Sequence, residues 1–155
     1  QSDCTGSRFL ECKWISCNLS LTKLDGCRLQ DAAFESCKLV GVNFSKCERM
    51  FLALQFKECL ISMANFSDLE LKNTPFKKCS IFDTFFTNAN LTNANFQEAD
   101  LKGSTFHNTN LSKANFVHSI NYTIHPSTNK LSKAKFSSPE VLSLLTSLDI
   151  LIDEK

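Results

Sequence analysis

The sequence predicts an all-β solenoid, a four-sided rod built from stacked coils of about 20 residues. The first observation is an apolar residue, always Phe, Leu or Ile, at every fifth position from Phe51 to Phe116. The second is a longer period of 20, at which residues of the same type recur. A period of five fits neither the repeat of about 3.6 of an α-helix nor the repeat of about two of a strand. Stacked four-sided coils explain both periods, because each coil then places like residues on like.

Columns of like residues define the predicted interior of the rod. One column is all Phe and another is all Leu, and both are expected to point inward. These core columns are Phe56, Phe76, Phe96, Phe116 and Phe136, and Leu71, Leu91, Leu111 and Leu131. At a parallel-strand spacing of about 4.8 Å, about six coils give a rod roughly 30 Å long.

Around each central residue the repeat has a second pattern. Two positions earlier the residue is small or medium, as at Ala94 and Ala114, and the residue between is often Asn or Asp, as at Asn95 and Asn115. A large and a small inward residue together fill a narrow tube at close-packed density. With this motif, A-(N/D)-(L/F)-x-x, residues 7 to 136 resemble the pentapeptide-repeat family. The resemblance implies a right-handed quadrilateral parallel β-helix in which the central residue and the residue two before it point inward.

The repeat has two breaks within the expected solenoid, residues 1–136. Phe44 and Phe51 are seven residues apart, so we expect two residues inserted within 45–50. This insertion is either a tolerated corner loop or a contact feature on a rigid scaffold. Residues 117–130 are expected to form an irregular coil with a turn at 125–127. The candidate partner contact at the phase slip consists of Lys46, Glu48, Arg49 and Met50.

Residues 137–155 are expected to form a C-terminal capping helix and a short tail strand. Ser137-Ser138-Pro139-Glu140 has the marks of a helix start, and apolar residues at helical spacing follow. A Leu- and Ile-rich strand after the helix has no pairing partner left in its own chain, so we expect a homodimer through this tail. The candidate dimer seam consists of Leu148, Ile150, Leu151 and Ile152.

Seven of the eight cysteines occupy the small inward position, and three pairs of them lie 20 residues apart. Cα atoms one coil apart fall within disulfide range, so a ladder of disulfides or of metal-bound thiolates is one hypothesis. The favoured interpretation is that each cysteine is a small buried hydrophobe in place of alanine. Unpaired thiols would fit a reducing cytosol, so we expect a cytoplasmic protein. The pairs are Cys17 with Cys37, Cys27 with Cys47, and Cys59 with Cys79.

No pattern in the sequence indicates catalysis. The three histidines have no neighbouring carboxylates or thiols that suggest a triad or a metal site, and there is no phosphate-binding loop. We therefore expect no enzyme activity, no cofactor and no small-molecule substrate. No apolar stretch approaches the length of about 20 residues that a membrane span needs, so we expect no membrane association.

The C-terminal segment is similar to the quinolone-resistance branch of the pentapeptide-repeat family. The stretch F-S-K-C at Phe44–Cys47 and the segment 121–137 share that similarity. The resemblance implies a dimeric bacterial protein that binds type II topoisomerases, chiefly DNA gyrase, and protects them from quinolones or toxins. For some members the implied mechanism is mimicry of duplex DNA by an acidic rod.

Three function classes stay open. They are a topoisomerase-binding protection protein, a scaffold for another protein partner, and a nucleic-acid binder. Residues 1–136 carry 12 Asp and Glu against 16 Lys and Arg, so their total charge does not suggest an acidic rod. A map of charge by face separates the classes: an acidic stripe favours the first, a mixed surface the second and a basic stripe the third.

Overall fold

The computed structural model describes residues 1–153 and shows a parallel β-solenoid of about six turns that ends in a 3₁₀ helix. The predicted fold class is confirmed. The strands are β1 (Arg8–Leu10), β2 (Lys13–Ile15), β3 (Arg28–Gln30), β4 (Ala32–Glu35), β5 (Lys38–Val40), β6 (Leu54–Lys57), β7 (Leu60–Ser62), β8 (Phe76–Lys77), β9 (Ser80–Phe82), β10 (Asn115–Phe116) and β11 (Lys135–Phe136). The 3₁₀ helices are Phe44–Lys46 and Glu140–Leu148.

The four faces of the solenoid differ in how much regular strand they contain. Face 1 holds β1 and β3, face 2 holds β2, β4, β6, β8, β10 and β11, and face 3 holds β5, β7 and β9. Face 4 is centred on Phe44, Phe66, Phe86 and Phe106. It is held by single bridges, such as the one from Asn65 to Phe85, rather than by strands.

Residues in successive coils pair at an offset of 20, except at the coil of the insertion and in the irregular coil near the C-terminal end. Phe56 pairs with Phe76, whereas Phe34 pairs with Phe56 at an offset of 22. The two added residues therefore fall between β4 and β6, and the columns stay in line across them.

Two ladders of aromatic rings fill the interior. In the ladder of face 2, from Trp14 to Phe136, and in that of face 4, rings one coil apart stack at centroid distances of 4.6–5.2 Å. Rings of the two ladders meet edge to face at 5.6–6.2 Å. Both arrangements suit the ring quadrupole. The Phe and Leu of the predicted core columns are buried, apart from half-buried Leu131 and Phe136 near the C-terminal end.

Polar side chains at the small inward position find partners in the previous coil. The hydroxyls of Ser104, Thr109 and Ser119 donate to carbonyl oxygens 23 residues earlier, those of central residues. The thiol of Cys37 donates to the carbonyl of Trp14 in the same way, at 3.3 Å. A buried polar group needs such a partner, so Ser, Thr and Cys can replace Ala there without a large loss of stability.

All eight cysteines are free thiols. The offset of 22 places Cys59 beside Cys37, so Cys17, Cys37, Cys59 and Cys79 stand in one column. Burial raises the pKa of the Cys47 thiol to about 12, which keeps that thiol protonated.

Two local features form each corner, a side-chain-to-backbone hydrogen bond and a residue with positive φ. The Asn or Asp before a central residue accepts a hydrogen bond from the backbone two residues on, as Asn95 does from Gln97 N at 2.9 Å. The residue two after the centre then turns the corner with positive φ, as Asn93 and Lys113 do at 59°. Asn tolerates this left-handed conformation better than most residues, which explains its abundance in the central coils.

The irregular coil loses two residues and regains them within its own length. Phe106 pairs with Ile124 at an offset of 18, and Asn110 pairs with Lys130 at 20 again. Tyr122 fills the interior, with its ring packed against Phe116 and Phe136. A turn at residues 125–128 then restores the two lost residues; the N–H of Thr128 donates to the carbonyl of His125 at 3.2 Å.

The C-terminal segment differs from its prediction in two respects. The helix Glu140–Leu148 is a 3₁₀ helix, and Pro139 rather than a serine lies at its N-cap. Leu144 packs against the core, so the helix covers the end of the solenoid. Among the described residues, no strand follows the helix, so the predicted tail strand is not formed in the single chain. A strand needs a neighbouring strand as its hydrogen-bond partner, and the backbone after the helix has none in the single chain.

Candidate protein-contact site

The structure brackets the phase slip between a residue of face 1 and the first residue of β6 on face 2. Glu48 still stacks on Arg28 at an offset of 20, and Leu54 pairs with Ala32 at 22. The two extra residues therefore lie between Glu48 and Leu54, an interval that shares Arg49 and Met50 with the predicted range 45–50. The surrounding coils continue without distortion, because the insertion is confined to one face.

The inserted segment forms a tight turn that projects from the face. The N–H of Leu52 donates to the carbonyl of Arg49 at 3.3 Å, and Phe51 adopts a φ of 62°. Met50 and Phe51 at its apex are both 61% exposed. Leu52, half-buried, packs against the core. We call the turn Arg49–Leu52 the tip.

The expectation that Phe51 belongs to the inward column is wrong. The period of five places Phe51 in line with Leu71, but the tip turns its ring to solvent and brings Leu52 inward. One signal in the sequence could have shown this. Arg49 stands two positions before Phe51, whereas the central residues from Phe56 to Phe116 have a small or apolar residue at that position and never a charged one.

Arg28 and Glu48 brace the base of the tip. Nε and Nη2 of Arg28 donate to the two carboxylate oxygens of Glu48, at 3.2 and 2.9 Å. The same guanidinium lies 5.6 Å from the centroid of the Phe51 ring, within reach of a cation–π interaction. The hydrogen bond from Arg28 holds the pKa of Glu48 below its usual value, so the pair stays charged at neutral pH.

The three arginines of the protein all lie on face 1 around the tip. Arg8 pairs in register with Arg28, and Arg49 begins the tip itself. Stacking two guanidinium groups in adjacent coils costs stability, which the carboxylate of Glu48 offsets only in part. Exposed Arg, Met and aromatic side chains together are typical of protein interfaces, from which lysine is depleted.

The four predicted contact residues occupy different places in this geometry. Arg49 and Met50 belong to the tip, Glu48 braces it, and Lys46 is exposed on the preceding corner. Sequence reasoning missed Phe51 because the period of five placed it inward. It missed Arg28 because that residue lies 20 positions before Glu48 in the sequence.

The predicted dimer seam lies at the C-terminal end of the rod. Leu148, Ile150, Leu151 and Ile152 are exposed, and Leu151 has no contact that covers it in the single chain. Four consecutive or nearly consecutive aliphatic side chains in water form the largest apolar exposure of the C-terminal end.

The described residues contain no group of three or more His, Cys, Asp or Glu side chains that could hold a metal ion. In the part of the chain that the structure describes, no helix is long and apolar enough to span a bilayer.

Comparisons with known proteins agree with the repeat. Residues 7–86 match a family model described as a pentapeptide repeat region, and residues 83–120 match a model of pentapeptide repeats in eight copies. No curated protein matches the sequence.

Several solved structures are similar in fold, all at low identity. A trypsin-treated variant of QnrB1, a plasmid-mediated fluoroquinolone resistance protein, is 17% identical over 97% of this chain and 85% of its own, with a TM-score of 0.47. HetL, a pentapeptide repeat protein involved in heterocyst differentiation regulation in Nostoc sp. strain PCC 7120, is 15% identical over 86% and 85%, with a TM-score of 0.37. A pentapeptide repeat protein from the thylakoid lumen of Arabidopsis thaliana is 24% identical over 75% and 66%, with a TM-score of 0.28.

Proposed function

This chain belongs to the pentapeptide-repeat family, and we propose that it is a non-enzymatic scaffold that binds a protein partner through the tip Arg49–Leu52. The observation that carries the proposal is the exposure of Met50 and Phe51 on a braced turn. Side chains as exposed as these add little to the stability of the fold, whereas an interface needs a few large apolar anchors. The rigid coils on either side hold these anchors in place before binding, which reduces the entropy lost on association.

The partner we propose is a type II topoisomerase, chiefly DNA gyrase. This choice rests on the similarity of the C-terminal segment and of Phe44–Cys47 to the quinolone-resistance branch. The activity that follows is protection of the enzyme from quinolones or toxins.

The arrangement of charge favours contact through the tip over mimicry of DNA. Along the described solenoid, no outward column places acidic side chains in three successive coils, as a stripe of phosphate-like charge would require. Face 2 instead alternates, with Glu35 between Lys13 and Lys57 at 2.6 and 3.2 Å. A mixed surface of this kind is the pattern expected for a scaffold for another protein partner, so the proposal of a topoisomerase rests on the resemblance and not on charge.

The functional test is the supercoiling activity of DNA gyrase with purified protein, with and without a fluoroquinolone. The proposal predicts that the protein restores supercoiling in the presence of the drug, and that the double variant Met50→Ala, Phe51→Ala does not. No effect of the protein on gyrase, with or without drug, would leave a scaffold for a different protein partner.

We propose further that two copies associate through the seam at Leu148, Ile150, Leu151 and Ile152. Pairing would bury aliphatic side chains that the single chain leaves in water, at about 25 cal/mol for each Å² of apolar surface. Removal of residues 148–155 is expected to give a monomer in sedimentation velocity, with unchanged circular dichroism. An unchanged sedimentation coefficient would refute the seam.

A further inference from the structure

Charge is distributed unevenly along the rod. From Leu101 to Pro139 the sequence contains no Asp or Glu, whereas residues 1–100 carry 11 Lys and Arg against 12 Asp and Glu. The acid-free stretch contains five lysines, and it forms the last regular coils and the irregular coil. Its lysines are Lys102, Lys113, Lys130, Lys133 and Lys135.

Four of these lysines lie on face 1 or around the corner that joins it to face 2: Lys130 at the start of face 1, Lys113 and Lys133 at the corner, and Lys135 at the start of face 2. Lys130 stacks on Asn110, and Lys135 pairs with Asn115. The N–H of Lys113 donates to the carbonyl of Ser132 at 2.8 Å, which sets Lys113 beside Lys133 in the next coil. All four side chains are exposed. We call this group the lysine corner.

No carboxylate of the described residues neutralises the lysine corner. The ion pairs of the described residues all lie in earlier coils, where Glu35 pairs with Lys13 and Lys57, and Glu48 with Arg28. Like charges stacked in adjacent coils, as at Lys113 and Lys133, reduce stability. Lys57 and Lys77 also stack, but Glu35 pairs with Lys57 there, whereas the lysine corner has no such carboxylate and concentrates positive charge at a cost in stability.

We propose that the lysine corner binds the phosphate backbone of duplex nucleic acid. Lysine ammonium groups bind phosphates by releasing counterions, which requires no apolar contact. The corner has no apolar outward side chain beyond half-buried Val117. Its other outward side chains are hydroxyls and amides, such as Ser112, Ser132 and Asn115.

The side chains at the corner suit duplex nucleic acid better than a membrane surface, a protein or a single strand. A membrane surface would call for exposed aliphatic or aromatic side chains that enter the bilayer, and a protein interface for an apolar centre. Single strands are bound by aromatic side chains that stack on bases, and the corner exposes none. The exposed Met50, Phe51, Met63 and Phe85 lie in earlier coils.

The test is fluorescence anisotropy of a labelled duplex of about 20 base pairs, titrated with the full chain over a range of salt concentrations. Four phosphate contacts predict a log–log slope of the binding constant against salt of about −3 to −4. The variant Lys113→Gln, Lys130→Gln, Lys133→Gln, Lys135→Gln is expected to bind at least about tenfold more weakly at low salt, with a slope near zero.

The matched control removes the same charge from other coils. It is Lys23→Gln, Lys38→Gln, Lys77→Gln, Lys78→Gln, and it should bind like the unmodified chain. Equal loss in both variants would show that net charge and not the corner binds, and would overturn the proposal. So would the absence of duplex binding at low salt, or tighter binding to polyglutamate or to phosphatidylserine vesicles than to the duplex. Because the corner and the tip lie in different coils, none of these outcomes bears on binding through the tip.

Discussion

The two interruptions of the repeat solve the same packing problem in opposite ways. At the tip two residues are added, so the offset between paired residues rises from 20 to 22 at that coil. The apolar side chains of the added segment turn outward. In the irregular coil, the offset falls to 18 and returns to 20 within a few residues, and Tyr122 turns inward. The columns stay in line in both places, since each coil must continue the core of its neighbours. The interruption that exposes apolar side chains is therefore the candidate contact, whereas the one that buries them restores the core.

The largest expected effect compares a regular position with the tip. Phe96→Asp puts a charge into a dry interior and is expected to cost about 5 kcal/mol or more, enough to unfold a domain of ordinary stability. Phe51→Asp, at an equivalent position in the period of five, should change the free energy of unfolding by no more than about 0.5 kcal/mol. Urea denaturation followed by circular dichroism measures both. Similar losses in the two variants would mean that the tip is part of the core.

The second effect concerns the repair in the irregular coil. In regular coils the N–H of the small inward residue donates to the central carbonyl three residues before it, as Ala94 does to Leu91 at 3.0 Å. At Thr109 the side chain of Asn129 intervenes: its Oδ1 accepts from the N–H of Thr109 at 2.9 Å, and its Nδ2 donates to the carbonyl of Phe106 at 3.0 Å.

Asn129→Ala leaves both of these backbone groups without the partner that the amide provides. We expect a loss of about 1–3 kcal/mol in the free energy of unfolding. The control Gln55→Ala removes an exposed amide from β6, at a position of ordinary strand conformation, and should cost well under 1 kcal/mol. If both variants melted together, the amide of Asn129 would not be part of the repair.

The smallest effect has the opposite sign. The hydroxyl of Tyr122 is buried and has no hydrogen-bond partner among the described residues, and burial raises its pKa to about 12. Tyr122→Phe keeps the ring contacts and removes the unsatisfied group, so it should raise the free energy of unfolding by about 1 kcal/mol. A decrease in the melting temperature would show that the hydroxyl has a stabilising partner.

The sequence predicts the regular part of the fold well, because packing alone determines it. The columns from Phe56 to Phe116 follow from two periods, and each position has one role in every coil. At the tip the period of five gives the wrong result. It counts Phe51 as a core residue, and only the charged Arg49 two positions before it indicates otherwise. The contact of Arg28 with Glu48 was out of reach, since it depends on which residues stay in register beside the insertion.

The tail was the harder case for sequence reasoning. A Leu- and Ile-rich segment after a helix favours a strand, yet a strand needs a partner, and the single chain provides none. The helix was predicted from a capping pattern that the structure does not use, because Pro139 rather than Ser137 lies at its N-cap.

Binding to immobilised DNA gyrase shows whether the tip is the protein-binding site of a rigid scaffold. Two double variants should be compared: Met50→Ala, Phe51→Ala at the tip, and Met63→Ala, Phe85→Ala, which removes a Met and a Phe of similar exposure from elsewhere on the solenoid. We expect binding by the unmodified chain and by the Met63, Phe85 control, with at least about a tenfold loss for the tip variant. Binding that survives the tip variant, or that fails equally in the control, would show that the tip is not the binding site.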